Sequence, residues 1–185
     1  MLSCFLYTPS MTDNLWAPWR MQYLTQLDPD EGFNGDAVSK CFLCEAATHE
    51  AGSEEANRRL VLHNDERGLI LLNRFPYTNG HLLICPREHL GDLTDLSKEQ
   101  RANLIELTAV AEEIVRLAYN PQGLNMGINI GRCAGAGLPG HLHMHVLPRW
   151  AGDTNFITTV GDIRVIPQAL EESFALLWAA AKKTL

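Results

Sequence analysis

The stretch GHLHMHVLPRW, residues 140–150, decides the fold of this chain, because three histidines stand two residues apart within a run of apolar residues. Side chains on a β-strand alternate between the two faces of the sheet. We therefore predict that His141, His143 and His145 share one face of a strand. The apolar residues between them should then pack into the core on the other face.

The three histidines allow two interpretations, one as metal ligands and one as chemical groups. Residues two apart on a strand are separated by about 6.6 Å, and the outer pair by about 13 Å. Zinc–nitrogen bonds measure about 2 Å, so three such histidines cannot share one ion on a straight strand, although two can. The other interpretation is that one imidazole is a nucleophile, while its neighbours orient it and hold an anionic substrate.

The segment before the histidines favours an anionic substrate. Residues 131–140 contain four glycines. Glycine lets backbone N–H groups approach an anion closely. Joined to the histidines, this turn predicts an oxyanion cradle.

The rest of the chain predicts an α+β fold with an antiparallel sheet. Five apolar runs have strand length and are separated by turn residues: residues 60–63, 69–72, 81–85, 123–130 and 141–148. A helix with a capping box at Ser97 and Gln100 should stop by Asn120, because Pro121 disfavours a helix at the residue before it. A last helix should start at Pro167. Residues 28–40 are predicted to be a loop, and residues 48–57 an exposed loop or a frayed turn.

Composition excludes several classes of protein. The chain has 185 residues, 46% of them hydrophobic, and a net charge of −7. This length suits one domain, and the acidic balance argues against a nucleic-acid or anionic-membrane partner. No stretch approaches the roughly 18 apolar residues of a membrane span, and the first ten residues lack a basic signal-peptide region. Five cysteines, of which only Cys41 and Cys44 are closely spaced, predict a reducing cytoplasm.

Three motifs in a fixed order, together with two flanking segments, carry a family resemblance. The motifs are NRFPYTNGH at residues 73–81, CPREH at 85–89 and the histidine run, and the flanks are residues 15–23 and 149–156. Together they resemble the histidine triad (HIT) superfamily, and within it the branch of diadenosine tetraphosphate phosphorylases (ATP adenylyltransferases). The resemblance implies a HIT-like antiparallel sheet with one long helix packed on it and a C-terminal helix. It divides the chain into an N-terminal extension (1–40), a HIT domain (41–153) and a C-terminal extension with a helix (154–185).

The resemblance also implies roles for individual residues. His143 would attack the α-phosphate of an adenine dinucleoside polyphosphate and form a covalent nucleotidyl-histidine, with His145 and His141 completing the catalytic set. Protonated neighbours would offset the phosphate charge. Other residues would bind the nucleotide and its phosphates: Asn73, His81, Asn129, Gly135, Gly137 and Leu138. Many family members carry a glutamine and a hydroxyl residue where this chain has Gly137 and Leu138. Main-chain N–H groups of residues 135–138 would then serve instead.

Cys41 and Cys44 form a C-x₂-C pair, which is often half of a zinc site. The resemblance implies that His89 and His141 complete a structural Cys₂His₂ zinc site. The alternative is two ordinary reduced thiols. No organic cofactor and no catalytic metal are implied, and the family's usual assembly predicts a homodimer or a larger homo-oligomer.

Two other functions stay open. One is a nucleoside phosphoramidate hydrolase of the small HIT type, and the other is a non-catalytic nucleotide-binding zinc module. Among the remaining residues, Arg149 is expected to brace the end of its strand, and His63 is interpreted as a surface or loop residue.

Overall fold

Five strands carry the architecture in the part of the chain that the computed structural model describes, residues 41–153, 160 and 165–185. Their bounds are β1 Val61–Asp65, β2 Gly68–Leu72, β3 Leu82–Cys85, β4 Gly123–Ile128 and β5 Met144–Arg149. The strand order in the sheet is β1-β2-β3-β5-β4, and every neighbouring pair is antiparallel. The predicted α+β class with an antiparallel sheet is confirmed.

Four α-helices lie in the described residues: α1 Phe42–Ala46, α2 Glu54–Arg58, α3 Lys98–Tyr119 and α4 Leu170–Thr184. The capping box of α3 is formed, because the Gln100 N–H donates to Ser97 Oγ at 3.1 Å and the Ser97 N–H donates to Gln100 Oε1 at 2.8 Å. The helix ends where expected, since Asn120 adopts a left-handed conformation with φ 45°. None of the described helices combines the length and the apolar composition that a membrane span needs.

The sheet separates two apolar cores. On one face, α3 and α4 pack against the sheet around Leu82, Leu142 and Val146. On the other face, α1 and α2 cover Leu69, Leu71 and Leu83. Leu142 and Val146 lie in the helical core, as the alternation of the histidine run predicts. The histidines are therefore directed away from the long helix.

Three predicted boundaries are wrong. Strand β5 begins at Met144, not at residue 141, because the preceding backbone turns to pair with loops: the Leu142 N–H donates to Leu90 O at 2.7 Å. Helix α4 begins at Leu170, because Gln168 is held outside it by the hydroxyls of Tyr119 and Ser173. Residues 48–57 are not all loop, since Ser53 caps the short helix α2.

Some predictions fall outside the described residues. They are the N-terminal extension of residues 1–40, with its loop at 28–40 and its flank at 15–23, and most of the segment 154–164.

Candidate active site

The centre of the candidate site is His143, which lies just before β5 and is 6% exposed. Its Nδ1 lies 2.8 Å from the main-chain oxygen of His141. A carbonyl only accepts hydrogen bonds, so Nδ1 carries the proton and donates it. The Nε2 atom of neutral His143 therefore keeps its lone pair and is chemically a nucleophile.

His81 and His145 form a hydrogen-bonded pair whose protons lie on the opposite ring nitrogen, Nε2, from the proton of His143. The Tyr77 N–H donates to His81 Nδ1 at 3.1 Å, so the proton of neutral His81 is on Nε2. His81 Nε2–H then donates to His145 Nδ1 at 2.9 Å, which leaves the proton of His145 on its Nε2 atom. That Nε2 is buried and has no hydrogen-bond partner among the described residues. His145 thus presents a proton donor, whereas His143 presents a lone pair.

These histidines are neutral near pH 7. Burial lowers the pKa of His81 to about 3 and that of His145 to about 4, and the neighbouring imidazole of His143 adds to both shifts. Burial also lowers the pKa of His143. These lowered pKa values do not support the expectation that protonated neighbours offset the phosphate charge. They favour directed N–H groups over full charges at this site.

A second cluster joins the N-terminal end of the described chain to the histidine run. Cys41 Sγ and Cys44 Sγ lie 3.3 and 3.4 Å from His141 Nδ1, and Cys44 Sγ lies 3.2 Å from His89 Nδ1. All four ligand atoms lie within 4.8 Å of one another. Ligand atoms of a tetrahedral zinc ion are about 3.5 Å apart, given bonds of about 2.3 Å to sulfur and 2.0 Å to nitrogen. The predicted quartet is brought together and can hold a metal ion.

His141 belongs both to the Cys–His cluster and to the histidine site around His143. Its Nε2–H donates to Pro86 O at 2.9 Å, which fixes the lone pair on the Nδ1 atom that faces the thiols. Its main-chain oxygen accepts the proton of His143. Burial lowers the pKa of His141 to about 4 and, together with a hydrogen bond to Cys41, raises that of Cys44 to about 11.

The structure of the glycine turn, residues 131–140, supports only part of the predicted oxyanion cradle. Residues Arg132–Ala134 form a 3₁₀ turn between Gly131 and Gly135, whose φ angles of 78° and 91° favour glycine. The Gly135 N–H donates to Arg132 O at 2.9 Å, so it is used within the turn and is not free for an anion. The N–H groups of Gly137 and Leu138 have no such bond among the described residues. The Asn129 amide lies beside Gly135.

The described part of the chain encloses a cavity of about 240 Å³, and sequence reasoning missed most of its lining. It is lined by residues from α1, the end of α2, β2, β3 and the loop after β2: Phe42, Ala46, Arg59, Leu71, Leu72, Asn73, Arg74, Phe75 and Leu83. Asn73 connects the cavity to the histidines, because its Nδ2–H donates to His81 Nδ1 at 3.2 Å. Phe42 and Phe75 are 46% and 80% exposed, and no pattern in the sequence indicates this surface.

The remaining predicted residues lie outside this arrangement. Arg149 braces the end of β5, since its guanidinium bonds Asp153 and Asn125. His63, interpreted as a surface or loop residue, is half-buried on β1, with Nε2 3.0 Å from Asp65 Oδ2.

Comparison with known proteins identifies a matching family model and similar sequences. The family model described as HIT domain matches residues 54–152. AP-4-A phosphorylase of Mycobacterium tuberculosis is 37% identical over 168 residues, which cover 89% of this chain and 84% of that protein.

Solved structures agree in fold. A Zn-bound histidine triad family protein from Mycobacterium smegmatis superposes with a TM-score of 0.59 at 32% identity, covering 80% of this chain and 96% of that one. The diadenosine triphosphate hydrolase of Plasmodium falciparum gives a TM-score of 0.57 and covers 76% of this chain and 95% of that one. Its identity is 20%, so that likeness concerns the fold alone.

Proposed function

Because this chain belongs to the HIT domain family and is a nucleotide hydrolase or nucleotidyltransferase of that family, we propose that it cleaves adenine dinucleoside polyphosphates at the α-phosphate. Phosphate is the acceptor we propose, as in a diadenosine tetraphosphate phosphorylase. The 37% identity to AP-4-A phosphorylase over most of both chains supports this choice.

The observation that carries the proposal is the opposed proton arrangement of His143 and His145. His143 Nε2 attacks the α-phosphorus, forming a P–N bond while the bond from phosphorus to the bridging oxygen breaks. His145 Nε2–H donates a hydrogen bond to that departing oxygen and stabilises its negative charge, so the polyphosphate leaves as its anion and His145 stays neutral. His143 keeps its Nδ1–H bond to His141 O, which stabilises the positive charge that develops on the attacking imidazole.

The second step releases the nucleotide. An oxygen of inorganic phosphate attacks the nucleotidyl-histidine, the P–N bond breaks, and His143 recovers its lone pair. With diadenosine tetraphosphate the products are ATP from the first step and ADP from the second. Water as the acceptor would give AMP in place of ADP.

The cavity lined by Asn73 and Phe42 is the nucleoside site in this proposal. Its lining is mostly apolar and includes two aromatic rings, which suits a nucleobase. The hydrogen bond from Asn73 to His81 connects this cavity to the proton donor of the reaction. The N–H groups of Gly137 and Leu138 would hold the α-phosphate oxygens.

Zinc is the metal we propose for Cys41, Cys44, His89 and His141. Two thiolates and two imidazoles make the donor set that zinc prefers, and all four positions are filled by protein, as in a structural site. When bound, the ion would add a cross-link between α1 and the histidine run. Its thiolates must stay reduced, which favours the cytoplasm as the compartment, and fractionation of cells would check that location.

A homodimer is the assembly we propose. In the described part of the chain, the outer edge of β4 pairs with no further strand, and Met126 on that strand is 42% exposed. Exposed sheet edges and apolar side chains are common sites of association. A monomeric mass by sedimentation at micromolar concentration would contradict this assembly.

The activity test combines purified protein with diadenosine tetraphosphate, with and without phosphate. We expect ATP and ADP in equal amounts with phosphate, and a phosphate-sensitive AMP adduct at His143 when phosphate is omitted. His143→Gln should lose at least about 1,000-fold in rate, because no other described group replaces the nucleophile.

The matched control is His49→Gln, which changes a histidine outside the site and should leave the rate unchanged. Turnover of adenosine phosphoramidate alone would indicate the phosphoramidate hydrolase. Tight AMP binding with no turnover of any substrate would indicate the non-catalytic module, and either result would overturn the proposal.

A further inference from the structure

Tyr77 is the tyrosine whose ring lies against the hydrogen-bonded pair of His81 and His145. The centroid of its ring is 4.7 Å from that of His81, at an interplanar angle of 40°. It is 5.9 Å from the centroid of His145, and these two rings are nearly parallel, with an angle of 24°. Tyr77 is 47% exposed, whereas His81 and His145 are buried. The tyrosine is therefore the most exposed of three rings in mutual contact.

The loop that carries Tyr77 is held beside the histidines by its backbone. The Tyr77 N–H donates to His81 Nδ1 at 3.1 Å. Further along the loop, Gly80 has φ 71° and approaches the Tyr119 ring so closely that a Cβ atom there would lie 2.6 Å from Tyr119 Cε2. The main chain on both sides of the tyrosine thus fixes where its ring can lie.

His145 needs a contact beyond its hydrogen bond if its ring is to keep one orientation. Within the described residues, its Nδ1 accepts from His81 Nε2 at 2.9 Å and its Nε2 has no hydrogen-bond partner. The torsion about the Cβ–Cγ bond of a histidine has broad minima, and a hydrogen bond tolerates some bending. The direction of the Nε2–H is therefore set only when a further contact restrains the ring.

The ring of Tyr77 provides that restraint. Among the aromatic rings of the described residues, His143 approaches His145 edge-on, at 5.0 Å and 68°, and His81 is tilted by 43° at 5.1 Å. Tyr77 is the ring that lies nearly parallel to it. Offset-stacked rings attract each other, and this attraction weakens when one ring turns out of parallel with the other.

We infer that the Tyr77 ring positions His145, holding its imidazole so that the Nε2–H points at the oxygen that departs in the first step. The inference rests on the proposed function, since it takes His145 as the hydrogen-bond donor to that oxygen. Tyr77 is a positioning residue, because its ring acts through His145 and does not touch the reacting atoms. A donor that points away from developing negative charge stabilises the transition state less, which lowers kcat and leaves substrate binding unchanged.

Two substitutions test the role of the ring. Tyr77→Leu keeps an apolar side chain and the main-chain N–H but removes the stacked ring. Its kcat with diadenosine tetraphosphate and phosphate should fall about fivefold while KM stays within about twofold, as the loss of one aromatic pair predicts. Tyr77→Phe keeps the ring and should retain most of the kcat.

His145→Ala separates a positioning role from a structural one. If Tyr77 acts through His145, Tyr77→Leu should cause no further loss of kcat in a chain that already carries His145→Ala. A loss caused by lower stability, or by a direct contact with the substrate, would persist in that chain. Thermal unfolding of each variant checks that it is folded, and Tyr77→Met replaces Tyr77→Leu if the leucine variant does not fold.

Phe174→Leu is the matched control. Phe174 lies on α4 and stacks on Trp178 at 6.3 Å and 12°, beside the core on the other face of the sheet. This variant also loses one stacked ring, and its kcat should equal that of the unchanged protein.

Three results would overturn the inference alone. They are a kcat of Tyr77→Leu within about twofold of the unchanged protein, an equal loss in Tyr77→Phe, and the same proportional loss with and without His145→Ala. Absence of turnover by the unchanged protein, or full turnover by His143→Gln, would overturn the proposed function and the inference with it.

Discussion

The proton on His145 is set by His81, a residue that touches neither the nucleophile's lone pair nor the cavity directly. His81 Nδ1 accepts from the Tyr77 N–H and the Asn73 amide, which obliges its Nε2 to donate to His145. Without that bond His145 can place its proton on the wrong nitrogen. The proposed hydrogen-bond donor to the leaving group then depends on a residue that acts as a positioning group.

We predict that His81→Leu lowers kcat by about 100-fold and leaves KM within a few fold, because the loss of one oriented hydrogen-bond donor to developing negative charge costs roughly that factor or more. His81→Gln should recover part of the loss, since its amide N–H can still donate to His145 Nδ1. Steady-state kinetics with diadenosine tetraphosphate measure both values.

A purely structural role for His81 would give a different pattern. His81→Leu and His81→Gln would then lose activity in proportion to their loss of thermal stability. Equal kcat values for the two variants, at equal stability, would contradict the positioning role.

At the residue scale, the sequence predicts which side chains share one face of the strand, but it does not predict their hydrogen-bond partners. The alternation in the run 140–150 correctly separates the histidines from Leu142 and Val146. The contact of Gly135 N–H with its own turn and the buried Nε of Arg59 depend on local backbone turns and on chain segments far apart in sequence. No pattern in the sequence specifies such contacts.

Among the elements, the two five-residue helices α1 and α2 both need outside support. Isolated helices of this length are unstable in water, because the conformational entropy lost on nucleation exceeds the free energy gained from the hydrogen bonds of a single turn. Helix α1 is anchored through Cys41 and Cys44, which face His89 and His141, and through the buried side chain of Leu43. A bound ion would therefore stabilise this helix more than any other.

We predict that zinc removal by a chelator, or the substitution Cys44→Ser, lowers the Tm by about 5 °C or more, since structural zinc contributes directly to folding. Metal analysis should find one zinc per chain in the unchanged protein and none in the variant. Thermal unfolding followed by circular dichroism gives the Tm.

The control for that prediction is Cys133→Ser. Cys133 is exposed in the 3₁₀ turn and lies outside the cluster, so its loss should change neither zinc content nor Tm. A zinc-free protein whose Tm does not respond to a chelator would contradict the structural role.

The ends of helices and strands are predicted correctly where short-range capping signals define them. The capping box at Ser97 and the left-handed Asn120 before Pro121 define both ends of α3. It failed at β5 and α4, whose starts are set by hydrogen bonds to Leu90 O and Gln168 Oε1 from distant segments. Tertiary contacts of that kind override local preference.

For the whole molecule, the buried histidines make stability depend on pH. His81 and His145 have pKa values of about 3 and 4 in the folded chain, mainly because of burial, compared with about 6.5 for an exposed histidine. Between about pH 4 and 6.5, these two histidines bind protons in the unfolded chain but not in the folded chain. Stability is therefore fully present above about pH 6.5 and falls as the pH decreases toward 4.

We predict a loss of up to about 1.4 kcal/mol per pH unit for one such group between pH 6 and 4. The free energy of unfolding from urea titrations at several pH values measures it. The double variant His81→Gln, His145→Gln should show a smaller slope. An unchanged slope in that variant would mean that other groups cause the pH dependence.

The double use of His141 has a consequence for how such sequences can diverge. Its side chain faces the metal cluster, whereas only its main-chain oxygen holds the nucleophile. A backbone carbonyl is present whichever amino acid occupies the position. Descendants of this chain can therefore exchange all four residues of the Cys–His cluster for an apolar contact and still inherit a correctly oriented His143, so the two properties are free to evolve separately.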